Sequence, residues 1–220
     1  SLSEGFSNIQ LGEGNDILSV TNSLNLSNYT VAGGPGADRI NIIHNGSISF
    51  PGAGIFSGIE DIFISNSTHQ SIDLSGFTGV ENITLSSGTT ADGSTITTTL
   101  GLGQKLILES ITDGDTGTAS LSDGGLEIVQ GASISSLDLK LDDVGPSSST
   151  ANENLFIDIA GQGTSTVNLE SEDTNFIVLS NSGGSLSNLN VIGSGPLGLI
   201  FNSPGTINTT SLSALLTLTG

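Results

Sequence analysis

Short pairs of apolar residues separated by one position recur along this chain at a near-constant interval. Leu18/Val20, Ile40/Ile42, Ile62/Ile64 and Ile83/Leu85 each begin four residues after a glycine, and those glycines, Gly14, Gly36, Gly58 and Gly79, are 22, 22 and 21 residues apart. The series continues less regularly through Leu106/Leu108 and Leu126/Ile128, then steps by 22 through Leu155/Ile157, Ile177/Leu179 and Leu199/Phe201. A second ladder runs between the first. Leu24/Leu26, Ile48/Phe50 and Ile72/Leu74 step by 24, Ile96 follows 24 after Ile72, and Leu137/Leu139, Val167/Leu169 and Leu189/Val191 are later members. Period-two alternation inside a longer period predicts short strands on a repeating coil. No sustained i, i+3, i+4, i+7 pattern is present, and β-branched residues dominate, so helices are not expected. The predicted fold class is all-β: a parallel β-solenoid (β-helix) with about nine or ten coils of about 22 residues and at least two strands per coil.

In such a stack every coil bonds to the coils above and below. Inward Leu, Ile and Val form continuous columns, while turn positions demand Gly, Asn, Asp or Ser. Residues 1–220 are expected to form one elongated domain, a fragment of a longer chain or a subunit buried end-on, because Ala214–Gly220 reads as a strand with no polar cap. Two stretches interrupt the period. Gly88-Thr89-Thr90-Ala91-Asp92-Gly93, within 86–99, reads as a turn or protruding loop, and 145–151 (Gly-Pro-Ser-Ser-Ser-Thr-Ala) reads as a loop or sub-boundary.

Candidate chemistry lies near the N-terminal end. Gly33-Gly34-Pro35-Gly36-Ala37-Asp38-Arg39-Ile40 fits G-G-x-G-x-D-x-U, with U a large apolar residue, a calcium-binding pattern. Leu11-Gly12-Glu13-Gly14-Asn15-Asp16-Ile17-Leu18 fits the same pattern without its first glycine. Glycine permits the left-handed angles that let a tight turn aim its carbonyl oxygens, and aspartate adds a hard anionic oxygen. Calcium takes six to eight oxygens, so one turn is insufficient. Asp16 and Asp38 are 22 residues apart, which stacks the two turns about 4.8 Å apart if 22 residues make one coil. The expected metal residues are Gly12, Gly14, Asp16, Gly34, Gly36 and Asp38, with Asp61 and Asn82 continuing the oxygen column, and the expected ion is Ca2+. The competing reading is of two glycine-rich turns whose aspartates hydrogen-bond locally.

These two turns, with Gly58-Ile59-Glu60-Asp61-Ile62-Phe63-Ile64 and Gly79-Val80-Glu81-Asn82-Ile83-Thr84-Leu85, resemble the coils of RTX-type surface-layer (S-layer) and adhesin-like proteins secreted by Gram-negative bacteria through the type I route. The coil pattern covers most of the chain; the calcium signature covers about its first fifth. The resemblance implies an extracellular, calcium-dependent, non-enzymatic structural role at the bacterial cell surface. Two features depart from it: the coil is near 22 residues rather than the 18 of a tandem nonapeptide solenoid, and no C-terminal run of G-G-x-G-x-D repeats is present.

Composition narrows the classes. With 22 acidic residues against Arg39, Lys105 and Lys140, the formal charge is −19, which opposes phosphate binding and hence nucleic acid. No apolar run is long enough for a membrane-spanning helix. Cysteine is absent, so disulfides are not the staple. Divalent cations suit the acidic balance. His44 and His69 lack zinc spacing, Asp113-Gly114-Asp115 lacks the remainder of an EF-hand, and Asp142-Asp143 reads as a solvated turn. Scarce cations and a single tyrosine, Tyr29, also count against a polysaccharide lyase or epimerase. The chain is therefore expected not to be an enzyme. The expected function is a calcium-stabilised module of a surface lattice that self-associates, with a cell-surface polysaccharide as a further candidate partner. The alternative is a stalk or ligand-binding segment of a large adhesin.

Overall fold

The computed structural model describes residues 8–21, 29–43, 56–65, 71–75, 77, 79–90, 95–113, 125–145, 154–202, 206–212 and 216–219. Among them the structure is all-β. The first strands are β1 (Asn8–Gln10), β2 (Ile17–Thr21), β3 (Thr30–Ala32), β4 (Arg39–Ile43), β5 (Phe56–Ser57), β6 (Asp61–Ser65) and β7 (Ile72–Asp73). Then come β8 (Asn82–Thr90), β9 (Ile96–Leu100), β10 (Lys105–Asp113), β11 (Leu126–Gln130), β12 (Ser136–Asp142) and β13 (Leu155–Ile159). The last are β14 (Thr166–Glu172), β15 (Asn175–Ser180), β16 (Asn188–Gly193), β17 (Leu197–Asn202), β18 (Thr206–Leu212) and β19 (Leu216–Thr219).

Strands alternate between faces. Even-numbered strands β2 to β18 form one nine-stranded sheet in strict sequence order, while odd-numbered strands form a three-stranded sheet, β1-β3-β5, and a seven-stranded sheet, β7 to β19. Every pairing is parallel, which is consistent with a β-solenoid. Inward residues from these sheets merge into one apolar cluster, so each strand contributes a short Ile, Leu or Val row to a shared interior. One column runs Leu18, Ile40, Ile62, Ile83, Leu106, Leu139, Leu169, Val191 through eight successive even strands. Most outward positions on these strands are partly or fully exposed, as Ile17 (64 %) and Ile43 (51 %) illustrate.

The step between paired residues is not uniform. It is 22 from Leu18 to Ile40 and from Ile40 to Ile62, but 33 from Leu106 to Leu139 and 30 from Leu139 to Leu169. It returns to 22 from Leu169 to Val191 and shortens to 18 from Leu189 to Ile207. The added residues separate the two apolar ladders from their expected faces. Leu106/Leu108 belong to the even sheet, whereas Leu126/Ile128, Leu155/Ile157, Ile177/Leu179 and Leu199/Phe201 belong to the odd one. Leu137/Leu139, Val167/Leu169 and Leu189/Val191 lie in the even sheet. One ladder on paper is thus two in space, exchanged between Leu108 and Leu126. Both faces use the same aliphatic pairs, so a longer coil shifts the count without altering the local pattern.

Two further expectations change. Ile72 stands beside Thr98 rather than Ile96. Gly88-Thr89-Thr90 is strand, paired with Ile111-Thr112-Asp113, so the extended β8 and β10 support each other where a protruding loop is expected. Residues 91–94, 114–124 and 146–153, the pairs Leu24/Leu26 and Ile48/Phe50, and His44 and His69 lie outside the described residues.

Candidate metal centre

The two glycine-rich turns connect β1 to β2 and β3 to β4, and parallel pairing on both sides forces one directly onto the other. Leu11 N–H donates to the Ala32 carbonyl (2.9 Å), Gly12 N–H to Gly33 (3.0 Å) and Gly14 N–H to Pro35 (2.9 Å). The Asn15 side-chain oxygen accepts the Ala37 N–H at 3.0 Å. Gly34 has φ +110°, and a Cβ there would overlap the carbonyl oxygen of Gly12. Gly36 stands in the same relation to Gly14. Glycine is required here by the close approach of two backbones as well as by the dihedral angle.

Asp38 is buried completely, at 0 % exposure. Its Oδ1 accepts the Asp16 N–H at 2.9 Å, and its own N–H donates to Glu60 Oε2 at 2.7 Å. Carboxylates therefore fasten successive turns across a 22-residue step. The second oxygens are different: Oδ2 of Asp38 and Oδ2 of Asp16 are both buried without a hydrogen-bond partner. Burying an anionic oxygen without a compensating donor or cation costs several kcal/mol on the scale of about 2–7 kcal/mol for even a neutral polar group. Oxygen-only donors of this kind match a hard cation better than zinc or copper. Among the described residues no three His, Cys, Asp or Glu side chains form a metal-holding group. A cation at these turns would accordingly take backbone carbonyls and water beside its carboxylates, which calcium accepts.

Asp61 does not join this column. Its register partner is Arg39, on β4, and its Oδ1 accepts Nδ2 of Asn82 at 2.8 Å. Asp61 and Asn82 thus follow Ile17 and Arg39 along the outward row. Continuing the pairing by one residue toward the turn puts Glu60 beside Asp38 and Glu81 beside Glu60, in line with the backbone bonds from Asp61 N–H to Asp38 O and from Asn82 N–H to Glu60 O. The signal was present in the spacing: Asp16, Asp38, Glu60 and Glu81 each stand two residues after Gly14, Gly36, Gly58 and Gly79. Gly12, Gly14, Asp16, Gly34, Gly36 and Asp38 are brought together; Asp61 is displaced by one residue.

The cations are engaged elsewhere. The Arg39 guanidinium lies over the Phe63 ring, 4.3 Å from its centroid. Lys105 pairs with Glu170 at 2.7 Å and Lys140 with Glu172 at 2.6 Å. The hydrogen bond from Lys105 holds the Glu170 carboxyl below its ordinary value, and the bond to Glu172 raises Lys140. A second group of acids lies where the even strands end. Asp142 is pushed up, first by desolvation and then by the charge of Asp173, and the adjoining Asp143 and Asp173 have positive φ. Asp113 closes β10, while Gly114 and Asp115 lie outside the described residues. In comparisons with known proteins, no family model matches the chain, and no match is found among curated protein sequences or solved structures.

Proposed function

We infer that this chain is a structural module of an extracellular, surface-layer-type assembly: a β-solenoid with coils near 22 residues where no longer turn intervenes, stabilised by calcium at its N-terminal turns. The observation that carries the reading is the pair of buried, unpartnered carboxylate oxygens on Asp16 and Asp38, one coil apart in glycine-rich turns. Calcium there would offset the charge of the acidic turns and lock neighbouring coils. With a formal charge of −19, carboxylates on separate copies also need a cation between them before they can approach. The role is mechanical rather than catalytic, at the bacterial cell surface, with other copies as the first partner and a surface polysaccharide as a second.

The test is to image purified protein by electron microscopy with calcium and with chelator. Ordered sheets or fibres that dissolve on chelation support the lattice. Folded monomers under both conditions would move the assignment to an adhesin stalk, and turnover of a polyuronate would replace it with an enzyme. Asp16→Ala with Asp38→Ala should abolish the calcium-dependent part of the melting temperature; an unchanged calcium response removes the paired-turn site.

A further inference from the structure

The unpartnered oxygen of Asp38 lies toward the third turn. Asp38 Oδ1 is bonded to Asp16 on the first-turn side, whereas Oδ2 lies 2.5 Å from the point a Cβ on Gly33 would take, and the Gly58 carbonyl oxygen would overlap a Cβ there. Two acceptors therefore converge over a glycine that leaves room for neither a methyl group nor a side chain. Four of the donors nearby are committed. Gly33 N–H bonds to Ser57 O, Asp38 N–H to Glu60 Oε2, and the N–H groups of Glu60 and Asp61 to the Asp38 carbonyl. Glu60 brings a second carboxylate to Asp38, its Oε2 on the Asp38 N–H.

We propose that a divalent cation, calcium by its donor chemistry, binds between the second and third turns, held by Asp38 Oδ2, the Gly58 carbonyl oxygen and the Glu60 carboxylate. The proposal rests on the reading that calcium stabilises this chain, and it assigns the ion to a turn, Ser57-Gly58-Ile59-Glu60-Asp61, that lacks the glycine-aspartate pattern. Anionic oxygen, carbonyl oxygen and no nitrogen or sulfur make a hard-cation site, with water completing the coordination shell. The arrangement also distinguishes the two aspartates. One coil earlier, Leu11 occupies the place of Gly33, as the bonds from Leu11 to Ala32 and from Gly12 to Gly33 require. The Leu11 side chain packs against the core, so a Cβ fills at Asp16 the space that Gly33 leaves open at Asp38. The missing first glycine thereby closes at Asp16 the gap that stays open at Asp38.

Calcium binding to the full chain by titration calorimetry, with thermal melts in parallel, decides the matter. Glu60→Gln preserves shape and hydrogen bonding, and should weaken the site roughly tenfold or more, because affinity in all-oxygen sites follows the number of charged ligands. Asp16→Asn removes a carboxylate one coil away from the ion and should weaken binding less than Glu60→Gln. Leu11→Gly should raise the stoichiometry by one ion, by opening the equivalent space beside Asp16 and the Gly33 carbonyl, since Leu11 stacks on Gly33 as Gly33 stacks on Gly58. If Asp16→Asn removes binding while Glu60→Gln does not, the ion sits between the first two turns: the calcium reading stands and this assignment falls. If the natural chain takes up no calcium and its melt does not move, the calcium reading falls and this inference with it. An unchanged stoichiometry for a folded Leu11→Gly variant overturns the role given to Gly33.

Discussion

Asn175 is fully buried, yet its side chain is fully used. Its Oδ1 accepts the Val144 N–H at 2.8 Å, and Nδ2 donates to Ser171 Oγ at 2.8 Å and to the carbonyls of Glu172 and Asp173 at 2.6 and 3.2 Å. It joins the end of β14 to Val144, two residues past the end of β12, where two coils turn the same corner. Asn175→Ala should therefore lower the urea midpoint, with the orphaned Val144 N–H alone costing about 1–3 kcal/mol. Thr98 is the opposite case. Its hydroxyl is buried among aliphatic neighbours and has no partner, between Ile72 and Ile128 in its column. Thr98→Val keeps the shape and removes the unpaired group, so the same measurement should show a gain of about 1 kcal/mol. Neither residue was legible in the sequence. Asn and Thr are so frequent in this chain that an asparagine bridging two coils looks the same as one in a turn, and only the register tells them apart. Asp16 and Asp38 were legible because glycines at fixed offsets frame them.

A strand of five residues carries little information, and the period of its neighbours supplies the rest. Where the step holds at 22, the pairing could be written from the sequence alone, as for Ile40 beside Ile62 or Ile177 beside Leu199. It failed where coils lengthen to 33 and 30, since extra turn residues leave no mark on the aliphatic pairs they separate. It failed again at β1, β3 and β5, whose two or three residues are too short to alternate visibly. A one-residue error was enough to move Asp61 from the turn column to the outward row. The inward assignment itself has a sharp consequence. Ile83 is completely buried between Ile62 and Leu106, and Ile83→Asp would place a charge in that column, costing more than about 4 kcal/mol and interrupting the stack. Ile43 ends β4 half-exposed on the outer face, so Ile43→Asp should stay within about 0.5 kcal/mol. Equal losses in the two melts would mean that the faces have been reversed.

Charge acts on the whole chain, because it carries 22 acids against three strong cations. Two sites set the direction of its pH response without added calcium. Asp142 has a raised pKa in the folded chain, owing to desolvation and Asp173, so its ionisation opposes folding and that penalty is relieved as pH falls through the folded value. Glu170 is lowered by the Lys105 hydrogen bond, so its contribution is present above the unfolded carboxyl value and is lost as pH falls through the folded one. The melting temperature should therefore rise on mild acidification and fall again in stronger acid. Asp142→Asn should flatten the rise and Glu170→Gln the fall; melts across pH 3 to 8, spanning the ordinary carboxyl range of roughly 4, would reveal either failure. Simple salt and calcium should then part company. Monovalent ions screen exposed charges beyond a Debye length of about 3 Å at 1 M, but they do not supply ligands to a carboxylate oxygen with no access to solvent. Asp38 is such a group. High sodium chloride with chelator should recover only the part of the stability lost to surface repulsion, leaving the melt below that of the calcium-loaded protein at low salt. Equal melting temperatures in the two solutions would mean that calcium acts on this chain as diffuse countercharge, and that the buried oxygens of its first turns hold no ion.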